Sequence, residues 1–260
     1  MTANPNQLRN QFERDGYMVF PAVVDQDLVR EAGNDVEWLI RNNPDLRPEK
    51  LYHTLMKDDP FWVRLISDER LLDIAEIFIG PDIALFASHY LCKPPGDGLP
   101  VLWHQDGSYW PLEPMEVVTL WLAVDDSTPE NGCMRVLPGT HRTPLQELRR
   151  REDTPNVLSS EIDPALVDES KAVDIVLGAG DVSVHHPNVI HGSNANTSNK
   201  RRCGLTIRYI PASTRITSEE QWESAFFLRG RPVTGVNTYL PFPKYVEGVH
   251  MPFEGCGKWK

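Results

Sequence analysis

Three side chains have the types and spacing of a metal site: His104 and Asp106, in the run Trp103-His104-Gln105-Asp106, and His191 far downstream. Side chains alternate faces along a β-strand, so on a strand over Val101 to Asp106 the first two point the same way. His191, supplied from a distant strand, would complete a three-ligand face. Two imidazoles and one carboxylate with the opposite positions open form the ligand set of non-haem Fe(II) oxygenases. The open positions are where a co-substrate and O2 bind. Arg202 then begins an alternating run in which Arg202, Gly204, Thr206 and Arg208 share a face. A guanidinium fork matches a carboxylate bidentately, and such charge-assisted bonds are roughly twice as strong as neutral ones.

A lone His-X-Asp is commonly no more than a hydrogen-bonded pair, so the surrounding residues matter. His185 and His186 lie close to His191 but lack the Gly192-Ser193 that follows it. His141 reads as closing the turn Pro138-Gly139-Thr140. His53, His89 and His250 have no partner pattern and read as surface or satisfied core. Thr119 sits in an apolar run and needs a partner if buried, either backbone or a bound molecule. Tyr109, Trp110, Trp121 and Trp222 are candidates for a substrate pocket, and Tyr109 and Trp110 rank first because they follow the candidate ligands within a few residues. Arg208 either meets an anionic substrate group or pairs with one of the chain's many acids.

The elements that must position these groups change character along the chain. The first third reads as helical: a short amphipathic helix over 6–14 ended by Asp15-Gly16, a helix over about 26–42 capped by Asp25, and two more over 59–67 and 69–79. A β-type run, Tyr17 to Pro21, interrupts them. From Ile83 onward the pattern is strand-like. Val117 to Val124 is an almost unbroken apolar run, as expected for a strand buried on both faces. Asn131-Gly132 signals a hairpin turn into a strand from Cys133 to Leu137. Segment 151–170 is polar and acidic and reads as an excursion over the surface. Strands follow over Asp181–His185 and Arg202–Ile210, and the tail from about 211 is irregular. The expectation is a mainly β fold with flanking helices: an antiparallel jelly roll with N-terminal helices packed outside. We read residues 1–260 as a single domain, helical over about 1–82, with a β core over about 83–211 and an irregular C-terminal tail.

Composition bounds the partners. Lys and Arg total 26 against 37 Asp and Glu, for a net charge of −11. That balance argues against a nucleic-acid or anionic-membrane surface. No apolar run reaches the ~20 residues needed to span a bilayer. The N-terminus lacks the basic start and apolar segment of a secretory signal. Four scattered cysteines, Cys92, Cys133, Cys203 and Cys256, form no zinc or disulfide pattern, which favours reduced thiols in the cytoplasm.

The pieces Lys93-Pro94-Pro95, Trp103 to Asp106, Asn131 to His141, and His191-Gly192-Ser193 followed by Arg202 together resemble the phytanoyl-CoA dioxygenase-like (PhyH) family of Fe(II)/2-oxoglutarate-dependent oxygenases. The resemblance covers roughly residues 83–210. It implies a double-stranded β-helix (a cupin-like jelly roll), with Fe(II), 2-oxoglutarate and O2. It implies that His104, Asp106 and His191 bind iron and that Arg202 binds the distal carboxylate of 2-oxoglutarate. Thr119, Ser193 and Lys93 become supporting contacts to that co-substrate.

The expected reaction is hydroxylation of an unactivated C–H of a small metabolite or natural-product intermediate, with release of succinate and CO2. Related halogenating enzymes carry a small residue where Asp106 stands, so halogenation is disfavoured. The same site can serve desaturation, epimerisation, ring closure or endoperoxide formation, or an acyl-CoA substrate. A non-redox cupin-like binding module is the contrasting reading, and it leaves Arg202 without a task. Oligomeric state is not legible.

Overall fold

A computed structural model describes residues 4–220 and 222–259. Five helices precede most of the sheet: α1 (Pro5–Asp15), α2 (Gln26–Asn42), the single turn α3 (His53–Met56), α4 (Pro60–Ile66) and α5 (Glu69–Ile79). Four begin at a side-chain cap. Asn4, Asp25, Asp59 and Asp68 each accept from backbone N–H groups that the first turn cannot satisfy. In α2 the residues Leu28, Ala32, Val36 and Leu39 form the buried stripe that the spacing predicts.

Ten strands build the body: β1 (Tyr17–Phe20), β2 (Ile83–Lys93), β3 (Val101–His104), β4 (Val118–Ala123), β5 (Met134–Leu137), β6 (Val173–Ile175), β7 (Val182–His185), β8 (Ile190–Ser193), β9 (Arg202–Pro211) and β10 (Phe226–Arg229). They form two antiparallel sheets. The major sheet runs β1-β7-β4-β9-β2-β10 and the minor sheet runs β3-β8-β5-β6. This is the jelly roll expected from the sequence.

The two faces of the major sheet do different jobs. Leu120 and Leu122 of β4, Val182 and Val184 of β7, and Leu205 and Ile207 of β9 join a core with α2, α4 and α5. The intervening residues turn inward: Thr119 lies opposite His185 and Arg208, and Trp121 lies opposite Ser183 and Thr206. The apolar run of β4 therefore has a helix-packed face and a site-lining face, both buried.

Four readings need correction. The strand β3 stops at His104, and Asp106 opens a 3₁₀ turn (Asp106–Ser108). Gln105 between them stays extended (φ −120°, ψ 122°), so the two-residue alternation still brings Asp106 to the His104 side. Asn131-Gly132 does not make a hairpin. It ends a capped 3₁₀ turn that carries the chain from β4 in the major sheet to β5 in the minor sheet. Gly132 has φ +79°, and a Cβ there would lie 2.5 Å from the Asn194 carbonyl oxygen, so only glycine fits. The sheet also exceeds the expected 83–211 core: β1 joins at one edge and β10, in the tail, at the other. Finally, segment 151–170 does more than cross the surface. Ser160–Ile162 pairs with Leu148–Arg150, and Leu158 reaches the central cavity.

Candidate metal centre and active site

The jelly-roll interior holds a cavity lined among others by His89, His104, Asp106, Trp121, His185, His191, Arg202 and Arg208. The strands β3 and β8 are paired so that His104 faces His191 directly, with ring centroids 4.1 Å apart. One ligand atom from each of His104, Asp106 and His191 lies within 4.8 Å of the others, and all three residues are buried.

Backbone carbonyls orient both rings. Leu102 O lies 2.9 Å from His104 Nδ1, and Val189 O lies 3.0 Å from His191 Nδ1. A carbonyl only accepts, so each Nδ1 carries the proton and each Nε2 lone pair is free for a metal. Burial and the neighbouring His104 hold the His191 pKa well below the ordinary value, which keeps its ring neutral. Burial alone would raise the Asp106 pKa. Arg208, with His104 and His185, outweighs it and holds the carboxyl well below the usual range. The set is thus two imidazole nitrogens and one carboxylate, which fits a divalent iron.

At the other end, Arg202 is 2% exposed and faces no carboxylate among the described residues. Its Nε donates to Gly132 O (3.1 Å), Nη1 has no partner, and the guanidinium carbon lies 5.0 Å from the Trp121 ring centroid. A buried, unpaired guanidinium is costly unless an anion meets it, so this end of the cavity suits an anionic group. Lys93 lies opposite Arg202 in the β2–β9 register. Its Nζ donates to Ser193 Oγ (2.7 Å) and to the Asn194 carbonyl. Burial and Arg202 push its pKa down to about 6.

The other predicted residues fall in different places. Thr119, with an unpartnered Oγ1, lies level with Arg208 and His185, nearer Asp106 than Arg202. Tyr109 sits at the rim, 41% exposed. Its ring meets His104 edge-on (6.1 Å), and its hydroxyl contacts Ser160 Oγ (2.6 Å). Trp110 backs Arg208, whose guanidinium carbon lies 5.0 Å from its centroid. Arg208 is buried within the cavity wall.

The cavity also takes in residues that the sequence set aside, His185 and His89, and one, Leu158, that it did not single out, together with the candidate aromatic Trp121. His185 stands with its Nε2 3.5 Å from Asp106 Oδ2. His89 contacts Arg208, and Trp121 carries Arg202. Leu158 lines the cavity from the excursion. Trp121, one of the pocket aromatics offered by the sequence, reaches the cavity through the inward alternation of β4. His89 and His185 become visible only once the strand register is known.

A β-helix interior with two histidines, one carboxylate and open space beside them places the chain in the class of non-haem iron oxygenases. The family is also shown: the sequence model for phytanoyl-CoA dioxygenase matches residues 12–204, and the chain belongs to that family. A probable alpha-ketoglutarate-dependent hypophosphite dioxygenase from Stutzerimonas stutzeri is 34% identical over 151 residues, or 57% of this chain. The match spans about half (52%) of that relative's length. Ectoine dioxygenase from Sphingopyxis alaskensis is 26% identical over 232 residues, covering 79% of this chain and 75% of that protein. Solved structures of EctD from S. alaskensis contain 2-oxoglutarate with 5-hydroxyectoine, or Fe; the former has a TM-score of 0.65 at 22% identity, covering 94% of this chain and 90% of that one. The non-heme monooxygenase ThoJ, in its apo form, superposes with a TM-score of 0.77 at 26% identity, covering 91% of this chain and 88% of that one. Solved structures of relatives thus hold Fe and 2-oxoglutarate, and a dioxygenase family uses O2. No helix among the described residues is long and apolar enough to cross a membrane.

Proposed function

We propose that this chain is an Fe(II)- and 2-oxoglutarate-dependent dioxygenase that hydroxylates an unactivated C–H of a small metabolite or natural-product intermediate. The observation that carries the reading is the pairing of two features in one cavity: three converging ligand atoms, and a buried guanidinium with no internal anion. A binding module with a structural metal has no use for the second.

His104, Asp106 and His191 would hold the iron, and Arg202 the distal carboxylate of 2-oxoglutarate. When bound, the pair supplies the oxidation: O2 is consumed, 2-oxoglutarate becomes succinate and CO2, and one oxygen atom enters the substrate. The protein's part is orientation and exclusion. Leu102 O and Val189 O hold the two imidazoles in the ligating tautomer. Trp121 packs against the Arg202 guanidinium, and the Gly132 carbonyl takes its Nε–H. Lys93 ties Ser193 and the Asn194 carbonyl to β2 at the same end. Leu158 and the Tyr109–Ser160 contact cover the mouth and limit water entry. The relatives named for ectoine and hypophosphite support a small polar substrate.

The test is succinate formation. Purified protein with Fe(II), O2 and 2-oxoglutarate should release succinate when a metabolite panel contains the substrate, and the product should gain one oxygen atom. His104→Ala and Asp106→Ala should each abolish turnover. Full turnover in either variant refutes the ligand assignment, and a product of unchanged oxygen content refutes hydroxylation.

A further inference from the structure

We propose that Arg208 is the anchor for an oxyanion on the substrate, so that the enzyme acts on small molecules carrying a carboxylate, phosphonate or similar negative group. This rests on the oxygenase reading of the site and names the substrate class for it.

The first observation is the geometry of the guanidinium. Nη1 donates to Thr206 Oγ1 (3.1 Å) and lies 3.0 Å from His89 Nδ1. Burial, with Arg208 beside it, keeps His89 neutral, so that nitrogen is free to accept. Trp110 covers one face of the group. Nε has no partner at all, and Nη2 reaches only to 3.9 Å from Asp106 Oδ2, beyond hydrogen-bond distance. Nε and Nη2 form the side of the fork that takes a carboxylate or phosphonate through two parallel N–H bonds. That side makes no hydrogen bond, its nearest group being the Asp106 carboxylate at ion-pair distance, in a residue only 7% exposed that lines the cavity.

The second observation is charge balance. The charged side chains lining the cavity are Arg202, Arg208 and Asp106, two positive and one negative. Fe(II) and doubly ionised 2-oxoglutarate cancel each other when both are bound. One buried positive charge remains, and a buried charge without a partner is strongly unfavourable. Arg202 and Arg208 stand six residues apart on one face of β9, so their backbones are roughly 20 Å apart. One dicarboxylate bound between metal and Arg202 therefore leaves Arg208 for a second molecule.

A role confined to steadying Asp106 is the competing account, and the two separate cleanly. Protein loaded with Co(II) and saturating 2-oxoglutarate, without O2, is titrated calorimetrically with matched probes: benzoate against benzamide, hexanoate against hexanamide, and methylphosphonate against its dimethyl ester. In at least one pair the anion should bind at least tenfold more tightly. Arg208→Gln should reduce that preference to within threefold while Co(II) and 2-oxoglutarate still bind. Arg208→Lys, which keeps the charge without the fork, should weaken the anion at least threefold and serves if the Gln variant does not fold. No anion preference in any pair overturns the proposal. So does a preference that survives in Arg208→Gln, or an anion affinity unchanged in Arg208→Lys. Failure of the wild-type protein to bind Co(II) and 2-oxoglutarate would instead overturn the oxygenase reading.

Discussion

Adding a single methyl group at Gly204 should weaken both the fold and co-substrate binding. Gly204 lies on the inner face of β9, two residues from Arg202, and no unusual backbone angle demands glycine there. Space does: a Cβ would stand 2.0 Å from Trp121 Cζ2 and 2.3 Å from Cη2. Trp121 is 2% exposed and has no open side to move into except the cavity. Overpacking of this kind costs ~1–3 kcal/mol, or roughly 2–12 °C in Tm for a chain of this size. The displaced indole is also the platform under Arg202. Losing that contact and the alignment it gives should cost ~1–2 kcal/mol, roughly 5- to 30-fold in 2-oxoglutarate affinity. Denaturant melts and calorimetric titration of 2-oxoglutarate onto the Co(II)-loaded protein read the two effects separately. Trp121→Phe removes the clashing Cζ2 and Cη2 atoms. In the double variant Gly204→Ala/Trp121→Phe, the loss of stability should therefore fall short of the sum of the single losses by ~1 kcal/mol or more. Wild-type stability and affinity in Gly204→Ala, or strictly additive losses in the double variant, would refute the packing account.

Two further outcomes follow from the cavity's electrostatics. Co(II) at ~100 times its Kd should stabilise the wild-type protein by ~2.7 kcal/mol and leave Asp106→Ala and His191→Ala unmoved; a shift retained in either variant would place the metal elsewhere. Lys93 has a folded pKa of about 6, far below its unfolded value, so between these limits the unfolded chain binds more protons. Its penalty is full below pH 6 and fades as pH rises toward 10. The stability gained by Lys93→Met should shrink over that window in urea titrations of the apo-protein, and a gap that stays constant with pH would show that Lys93 is not buried in this way.

Much of this architecture was legible because local signals agreed with the global fold. Asp25, Asp59 and Asp68 mark helix starts by a mechanism that needs no tertiary partner. The His104–Asp106 spacing survived the early end of β3 because one extended residue preserves the alternation. Signals failed where the meaning of a residue depends on pairing between distant strands. Asn131-Gly132 has hairpin chemistry, yet the flanking strands belong to different sheets. Phe226–Arg229 is a strand only because Ile83–Leu85 offers an edge. His185 and His89 look idle in sequence and enter the cavity through the registers of β7 with β4 and of β2 with β9. Leu158 lies in a polar stretch whose composition says surface, and a single apolar residue that reaches the cavity from such a stretch leaves no periodic trace.

The early termination of β3 has a mechanical consequence for the proposed centre. The two imidazoles are locked to a shared hydrogen-bonded ladder, so their bite is set before any ion arrives. The carboxylate hangs from the tight turn just past that ladder, with His185 and Arg208 at its outer oxygen. Stiffness therefore resides in the rings and compliance in the acid. Ions of unequal radius would be accommodated by swivelling Asp106, while the spacing of the nitrogens stays the same.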